Sequence, residues 1–265
     1  MEAEPTQSNS MPGTCVWGKG KVALVTGAAR RVGRVIAAAL HKHGYNLVIH
    51  CSASKDEALA FAAQLNSSVR GDSAHVISAD LSTTSVVETS ERLVREAVAK
   101  WGRLDLLVNN AGVYLATPLD QATDHHWNYL MNINLKAPYF LIQAAAPHLR
   151  KVEGNVVNLA DILGERPSPP LSIYCTSKAA IIMVTKSLAA ELGPQIRVNY
   201  INPGAAMWPE KADDAFKKDW LSKTLLGRPG TGQEVADAVV FLASPAANYI
   251  TGSGITTCGG RSVTL

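Results

Sequence analysis

A tyrosine and a lysine four residues apart, Tyr174 and Lys178, are the side chains whose types and spacing best suit acid–base chemistry. The spacing places both on the same face of a helix. A phenol has an ordinary pKa of ~10 and is a poor acid–base catalyst at neutral pH, and a nearby ammonium group favours its ionised form. The pair therefore indicates proton transfer. Taken alone, such a pair is more often a surface contact.

A second motif, residues 27–33, has the composition of a phosphate-binding turn between a strand and a helix. Gly27 permits a tight turn, and Gly33 allows the helix to approach the strand closely. The N-terminus of the helix offers free N–H groups and a partial positive charge to a pyrophosphate. The middle glycine of the G-x-G-x-x-G pattern is missing, so an ordinary strand–helix turn is the alternative.

The residues around this turn favour NADPH over NADH. NAD-specific sites place an acid at the end of the second strand, whereas the first acid here is Asp56, already in the next helix. Arg30 and Arg31 can face a 2′-phosphate, with surface charge as the alternative role of both. Hydrogen bonds to the same phosphate are expected from three further residues, which are His50, Ser52 and Ser54. After the third strand, Asp80 and Leu81 are placed to bracket an adenine, and a helix cap is the alternative role of Asp80.

The elements that must position these residues alternate along the chain. Short β-branched runs predict strands at 22–26, 46–50, 75–78, 104–109, 155–159, 197–201 and 254–257. Helical spacing predicts helices at 33–43, 54–65, 85–100, 124–148, 175–192 and 233–243. Repeated units of this size form a parallel sheet covered on both faces. The sequence thus predicts one doubly wound α/β domain, residues 18–265, after a disordered tail at residues 1–17.

The composition excludes several classes of protein. With 265 residues, 47% hydrophobic and 18% charged, the chain is not collagen-like, low-complexity or disordered. Its net charge of +3 comes without any long basic run, which disfavours nucleic acid as a partner. The apolar runs are too short to span a bilayer, and the four cysteines lack zinc-site spacing, so neither membrane nor metal is expected. Reduced thiols and the absence of a targeting signal predict a cytoplasmic protein.

Further motifs join the tyrosine–lysine pair. They are Asn109-Asn110-Ala111-Gly112 after the fourth strand, Pro203-Gly204 after the sixth, and Asn134 in a helix. In this order the motifs resemble those of the short-chain dehydrogenase/reductase family, and the resemblance covers residues 20–260. It implies a Rossmann-like fold with a seven-stranded sheet, a nicotinamide cofactor and a homotetramer.

The resemblance also assigns roles to individual residues. Tyr174 becomes the proton donor, Lys178 holds the cofactor ribose and lowers the tyrosine pKa, and Asn134 supports a water relay. The cofactor-binding residues that it adds to those of the turn are Val32, Asn109, Ala111, Gly112, Tyr174, Lys178, Pro203 and Gly204.

One departure from the family pattern bears on the substrate. The family normally places a serine 13 residues before the tyrosine, and this chain has Asp161 there. A carboxylate repels a developing oxyanion, so this aspartate suits carbonyl reduction badly. It suits a substrate in which a ring nitrogen takes up a proton while the adjacent carbon receives a hydride.

With this aspartate, the segments 137–142, 207–210 and 249–252 resemble the pteridine reductase branch of the family. That branch reduces oxidised pterins, and often dihydropterins or folates, with NADPH. The resemblance implies that Tyr114 stacks on the pterin and that Arg31 contacts both the pyrophosphate and the pterin. The stretch 207–226, which includes Trp208, breaks the strand–helix rhythm where substrates usually bind. Two departures are Gly112-Val113 in place of two serines and Ala53 in place of an arginine.

Three functional hypotheses follow. The leading one is NADPH-dependent reduction of pterins or folates, with Asp161 assisting protonation of a ring nitrogen. The second is a short-chain carbonyl or 3-oxoacyl reductase, or an alcohol dehydrogenase. The third is a non-catalytic NADP-binding module, which the intact Asn134, Tyr174 and Lys178 disfavour.

Overall fold

A computed structural model describes residues 16–68, 70–208 and 212–264. Their centre is one sheet of seven parallel strands in the order β3-β2-β1-β4-β5-β6-β7. The strands are β1 (Val22–Val25), β2 (Asn46–Cys51), β3 (Ala74–Ser78), β4 (Leu106–Asn109), β5 (Asn155–Leu159), β6 (Arg197–Pro203) and β7 (Gly254–Thr257). The predicted fold, a single Rossmann-like α/β domain with seven parallel strands, is confirmed.

Eight α-helices connect and flank the strands in the described part of the chain. They are α1 (Arg31–Lys42), α2 (Lys55–Ser68), α3 (Val86–Trp101), α4 (Asp124–Met131), α5 (Ala137–Arg150), α6 (Ser172–Leu192), α7 (Asp214–Ser222) and α8 (Gly232–Ala243). The helix predicted over 124–148 is in fact interrupted, because a π-helical turn at Asn132–Lys136 separates α4 from α5. The stretch 207–226 also contains a helix, α7, whose first turn is capped by Asp213 through the N–H of Phe216.

The core lies on both faces of the sheet. Ala23 and Val25 of β1 face one apolar cluster with α1, α2 and α8, whereas Val22 and Leu24 face another with α3, α5 and α6. All four are fully buried, so the strand is apolar at every position rather than at alternate ones. The burial on two faces explains why continuous apolar runs identified the strands.

The strand order reverses between β1 and β4, which lie side by side although β2 and β3 separate them in sequence. The segments that follow two such neighbouring strands pass to opposite faces of the sheet, which leaves a crevice at the carboxyl ends of the strands. The residues predicted for cofactor binding follow these two strands. The topology therefore places the candidate site at this crevice.

The predicted tail falls mostly outside the described residues, which begin at Val16. Trp17 packs edge-on against the ring of Tyr45 and lies close to the ring of His43. Three of the four cysteines that were predicted to be reduced have free thiols in the structure, namely Cys51, Cys175 and Cys258. The fourth, Cys15, lies outside the described residues. No helix among the described residues is both long and apolar enough to cross a membrane.

Candidate active site

The turn after β1 is held to the end of β4 by two polar side chains. The hydroxyl of Thr26 accepts hydrogen bonds from the N–H groups of Asn110 (3.0 Å) and Ala111 (2.9 Å). The Asn110 amide donates to the carbonyl oxygens of Thr26 (2.7 Å) and Gly27 (3.2 Å), and Gly27 has a φ of +63°. The sequence reasoning gave no role to Thr26 or to the Asn110 side chain. Their position directly after buried strands is the signal that could have identified them.

Gly33, the second glycine of the turn, is required by packing. A Cβ atom at this position would lie 2.2 Å from the carbonyl oxygen of Gly27 and 2.4 Å from Nδ2 of Asn110. Both distances are far below van der Waals contact, so any side chain would push α1 away from the turn. The close approach that the sequence predicted for Gly33 is therefore present in the structure.

His50 has a different role from the predicted one. Its Nδ1 accepts a hydrogen bond from the N–H of Gly27 (3.1 Å), and its Nε2 donates to the carbonyl oxygen of Ala79 (3.0 Å). The side chain is buried, and burial lowers its pKa to about 4, so the imidazole is neutral. Because both ring nitrogens are occupied, the prediction that His50 donates to a cofactor phosphate is wrong. The ring instead ties the turn to β2 and β3.

A cleft of about 600 Å³ opens beside this turn, at the carboxyl ends of β1, β2 and β4. The predicted cofactor residues that line it are Gly27, Arg30, Arg31, Val32, Gly33, His50, Ser52, Ser54, Asp80, Leu81, Ala111 and Gly112. Lining residues that the sequence reasoning did not name as cofactor contacts include Ser82, Asn110, Val113, Tyr129 and Ile133. The volume lies within the range of small-molecule and cofactor sites.

Five other predicted cofactor residues are not among those lining this cleft, and two of them, Tyr174 and Lys178, are described below with Asp161. Asn109 is buried and donates from its side-chain amide to Oδ1 of Asn158 (2.8 Å), bracing β4 against β5. Pro203 ends β6, and the adjacent Gly204 packs closely against Cys258. Their predicted contacts with a cofactor remain predictions.

The two arginines of the turn point in different directions. Arg31 has a φ of +51°, and its guanidinium donates to the carbonyl oxygens of Trp208 (2.9 Å) and Met207 (3.4 Å). Arg30 is exposed and lies 3.9 Å from a carboxylate oxygen of the equally exposed Glu57. Such an exposed pair is weak, so the charge of Arg30 remains available to an anion in the cleft. Arg31 thus links the turn to the segment that contains Met207 and Trp208.

Asp80 is exposed at the far end of the cleft. Its Oδ1 accepts hydrogen bonds from the N–H (2.8 Å) and the hydroxyl (2.7 Å) of Ser82. The residue that precedes α3 is Ser85, so Asp80 does not cap that helix. Its role as a helix cap, which the sequence left open, is excluded.

Asp161 and Tyr174 form the hydrogen bond at the centre of the catalytic group. The tyrosine hydroxyl donates to Oδ2 of the aspartate over 2.7 Å, while Oδ1 accepts from the N–H of Leu163 (2.8 Å). The aspartate thus caps a short helical turn, Ile162–Gly164. A Cβ at Gly164 would lie 2.7 Å from the backbone of Lys178, so the turn packs directly on α6. Both oxygens of the carboxylate are held in fixed directions.

Burial has the largest effect on the electrostatics of this pair. Burial and the neighbouring Asp161 carboxylate raise the pKa of Tyr174 well above its usual value, and burial raises the pKa of Asp161. Lys178 is buried, its own pKa is lowered by burial, and its Nζ donates to the carbonyl oxygen of Leu159 (2.9 Å). Burial and then the aspartate are the largest influences on the pKa of Tyr174, and the predicted lowering of this pKa by Lys178 stays a prediction. Tyr174 therefore holds its proton and can act as a donor.

Asn134 lies in the π-helical turn and joins this group to the cleft. Its side chain accepts from the N–H of Val113 (2.9 Å) and donates to the carbonyl oxygen of Val113 (3.0 Å) and the hydroxyl of Ser177 (3.1 Å). A Cβ at Gly112 would lie 3.4 Å from Oδ1 of Asn134 and 3.5 Å from Nζ of Lys178. Gly112 is thus the point where the cleft meets the catalytic group.

The remaining predicted substrate residues fall into two groups. The ring of Tyr114 meets that of Tyr174 edge-on at 5.0 Å between centroids, and 49% of Tyr114 is exposed. The ring of Trp208 packs edge-on against Phe216 of α7 at 6.3 Å, and its carbonyl oxygen holds Arg31. No cluster of His, Cys, Asp or Glu that could bind a metal ion occurs among the described residues.

Comparison with known proteins gives a consistent result. The family model described as enoyl-(acyl carrier protein) reductase matches residues 27–262. Pteridine reductase 1 of Leishmania tarentolae is 36% identical over 280 residues, covering 92% of this chain and 96% of that protein. The 3-oxoacyl-[acyl-carrier-protein] reductase FabG of Staphylococcus aureus is 35% identical over 244 residues, covering 91% and 97%.

An uncharacterised oxidoreductase of Methylorubrum extorquens is 34% identical over 248 residues and covers 91% of this chain and 98% of that protein. These similarities extend over nearly the whole chain, and the family agrees with the seven-stranded parallel sheet. The protein is an oxidoreductase with a nicotinamide cofactor, and it belongs to the short-chain dehydrogenase/reductase family.

Proposed function

We propose that this enzyme reduces pterins of the biopterin and dihydrobiopterin type, and also folates, with NADPH. The observation that carries the proposal is the 2.7 Å hydrogen bond between Tyr174 and Asp161. This bond joins a proton donor to a carboxylate, an arrangement that suits protonation of a ring nitrogen. The similarity to pteridine reductase 1 supports the same substrate class.

The residues of the cleft fit a phosphorylated dinucleotide. The turn around Gly27 and Gly33 presents the N-terminus of α1 to a pyrophosphate, and Arg30, Ser52 and Ser54 are proposed to bind the 2′-phosphate. Asp80 and Leu81 are proposed to bracket the adenine, and Lys178 to hold the nicotinamide ribose. Bound NADPH would supply the hydride.

The residues proposed to contact the substrate have separate roles in the reaction. Tyr174 donates the proton to the ring nitrogen from its hydroxyl. Asp161 accepts the hydrogen bond of that hydroxyl and, because its pKa is raised, can supply the replacement proton. Tyr114 is proposed to stack on the flat heterocycle. Arg31 of the turn and Trp208, to which it is hydrogen-bonded, are proposed to lie at the border of the substrate. Asn134 holds Val113 in place and is proposed to support a water relay.

A carbonyl or 3-oxoacyl reductase is the second candidate. The similarity to FabG, at 35% identity, favours it nearly as strongly as the pteridine reductase similarity favours the first. Such a reaction generates negative charge on the carbonyl oxygen, which needs hydrogen-bond donors. Asp161 offers an acceptor at that place, so the site supports the pterin proposal better.

NADPH oxidation, followed by absorbance, tests the proposal directly. Biopterin, dihydrobiopterin, folate and dihydrofolate are offered in parallel with a 3-oxoacyl ester, and NADH is run beside NADPH. We expect turnover of at least one pterin with NADPH preferred. Turnover of the ester alone would replace the proposal by the second candidate.

The assembly and location are proposals of the same kind. We propose a homotetramer, since α5, α6, α8 and the loop before β7 expose the large apolar side chains Tyr139, Met183, Phe241 and Tyr249. Light scattering during size-exclusion chromatography measures the subunit number. The cytoplasmic location and the domain boundary at residue 18 are likewise proposed.

A further inference from the structure

The segment that follows β7, residues 258–264, begins at the same edge of the sheet as the candidate site. Its first turn is at Gly259, which has a φ of +61°. The carbonyl oxygen of Gly259 accepts a hydrogen bond from the N–H of Leu226 (3.0 Å), which lies in the loop after α7. A short helical turn, Arg261–Val263, then leads to Thr264. The segment thus lies against the loop that follows α7.

Thr264 joins the loop after α7 to the loop after β5. Its hydroxyl donates to the carbonyl oxygen of Lys223, directly after α7, over 2.6 Å. Its own carbonyl oxygen accepts a hydrogen bond from the guanidinium of Arg166, also over 2.6 Å. Within the described ranges 161–168 and 223–228, no hydrogen bond joins the two loops directly. We call the contact Arg166–Thr264–Lys223 the threonine bridge.

Arg166 belongs to the turn that carries Asp161. Its N–H donates to the carbonyl oxygen of Ile162, the residue that follows the aspartate (3.1 Å). The neighbouring Glu165 accepts a hydrogen bond from the side-chain amide of Asn202 in β6 (2.9 Å). Besides packing on α6, the turn is therefore held by β6 through Glu165 and by the bridge through Arg166. The bridge thus acts on the turn that orients the catalytic carboxylate.

The same segment contacts a row of aromatic rings on and before α7. The guanidinium of Arg261 lies over the ring of Trp220, 5.0 Å from its centroid, where a cation is attracted to the ring. Trp220 packs on Phe216 at 5.9 Å between centroids, and Phe216 packs on Trp208. Trp208 is proposed to lie at the border of the substrate. The segment after β7 therefore reaches this border through Arg261 and the Asp161 turn through the bridge.

We propose that the threonine bridge and Arg261 fix the separation between the Asp161 turn and α7, and thereby determine the size of substrate that the enzyme accepts. Arg166, Thr264 and Arg261 are positioning residues, which act through these two elements and do not touch the reacting atoms. The inference rests on the proposed function for the place of the substrate. Small changes of separation matter, since a misplacement of about 1 Å can change a rate by about 100-fold.

A specificity ratio tests the inference in two variants, Arg166→Met and Thr264→Val. Each removes one hydrogen bond of the bridge and nearly keeps the size of the side chain. The measured quantity is kcat/KM for dihydrobiopterin divided by kcat/KM for dihydrofolate, which has a much longer side chain, with NADPH as cofactor. This ratio is independent of the fraction of active enzyme, so a partial loss of folded protein leaves it unchanged.

We expect the ratio to fall by about three- to tenfold in both variants, as for the loss of one hydrogen bond, because a wider opening favours the larger substrate. The KM for NADPH is expected to stay the same, since no residue of the bridge lines the cofactor cleft. Because the two hydrogen bonds act in series, the double variant is expected to shift the ratio no further than either single variant.

Two controls accompany these variants. Thr264→Ser keeps the hydroxyl that donates to Lys223, and Arg150→Met removes an exposed guanidinium at the end of α5. Both are expected to keep the wild-type ratio. A shift in Arg150→Met equal to that in Arg166→Met would overturn the inference, since a general loss of positive charge would explain both.

Hydrogen exchange of backbone amides provides a readout that does not depend on turnover. Arg166→Met changes the loop after β5, yet we expect faster exchange in α7 as well, because the bridge is broken. Thr264→Val is expected to speed exchange in residues 161–166, at the other end of the bridge. Exchange that rises only beside the substituted residue would overturn the inference, whatever the enzyme turns over.

The outcomes separate the inference from the proposed function. Shifted ratios in both single variants, with no additional shift in the double variant, support the inference. Unchanged ratios, or shifts that add in the double variant, overturn it and leave the proposed function intact. If neither the pterin nor the folate is reduced, the proposed function fails, and the exchange measurement then decides the inference.

Discussion

At the scale of single residues, the candidate site depends on a tyrosine whose acidity is suppressed. Burial and the Asp161 carboxylate both stabilise the neutral phenol of Tyr174. The hydroxyl of Tyr174 therefore keeps its proton until a substrate atom takes it, as a general acid requires.

Tyr174→Phe tests this role. The variant lacks the hydroxyl that donates to Asp161, so reduction is expected to fall by about 100- to 10,000-fold, the usual contribution of a general acid. NADPH affinity, measured by fluorescence titration, is expected to stay within threefold of the wild type. Tyr139→Phe, on an exposed face of α5, is the matched control. Unchanged turnover in Tyr174→Phe would contradict the mechanism.

We expect Arg30 to determine the proposed preference for the phosphorylated cofactor. Removing its exposed charge in Arg30→Ala is expected to weaken NADPH binding by about 10- to 100-fold, because a charge-assisted hydrogen bond is lost. NADH binding is expected to change little. Both affinities are measured by fluorescence titration, with Arg95→Ala on the exposed face of α3 as the control. An equal loss for both cofactors would show that Arg30 does not contact the 2′-phosphate.

At the scale of elements, the closest contact in the site is between α1 and the turn that precedes it. Gly33→Ala would place a methyl group 2.2 Å from the carbonyl oxygen of Gly27. We expect the free energy of unfolding to fall by about 1–3 kcal/mol, as in other overpacked sites, and NADPH affinity to fall with it. Urea unfolding and fluorescence titration measure the two effects.

Gly71→Ala is the control for this prediction. Gly71 is exposed, and a Cβ there meets no atom within 4 Å. The variant is expected to match the wild type in both measurements. If Gly33→Ala also matched the wild type, the contact between α1 and the turn would not be needed for the cofactor site.

The elements show what sequence reasoning can and cannot reach. The strands were predicted because buried parallel strands are apolar throughout, as β1 is. The π-helical turn at Asn132–Lys136 was missed because its apolar spacing continues that of the flanking helices. The Asp161–Tyr174 contact was expected from a family spacing, whereas the role of His50 depends on which strands lie beside β2. Side chains that bridge strands distant in sequence leave no local pattern.

At the scale of the whole molecule, two buried histidines couple stability to pH. Burial lowers the pKa of His41 and of His50 to about 4, from an ordinary value of 6.5. Between these values the unfolded chain binds more protons than the folded one, so stability rises with pH in this window. Their contribution is complete above about pH 6.5 and is lost as the pH falls towards 4.

The prediction is that the free energy of unfolding decreases steadily from pH 7 to pH 5. His50→Asn is expected to be less stable at pH 7, since Gly27 and Ala79 lose their shared partner, and to show a shallower dependence on pH. Urea unfolding at each pH measures both effects, and His125→Asn, which is exposed, is the control. A slope as steep in His50→Asn as in the wild type would refute the assignment.

The helical turn that Asp161 caps has a consequence for how this enzyme arose. Serine and aspartate are nearly equivalent as caps, because either side chain can accept the N–H of Leu163. The turn packs on α6 through Gly164, and the side chain at position 161 adds a hydrogen bond to Tyr174 of that helix. An exchange of the two residues therefore keeps the cap of this turn, while it adds or removes a carboxylate beside the hydroxyl of Tyr174. The charge beside Tyr174 can therefore change while the backbone of the turn and its packing on α6 stay the same.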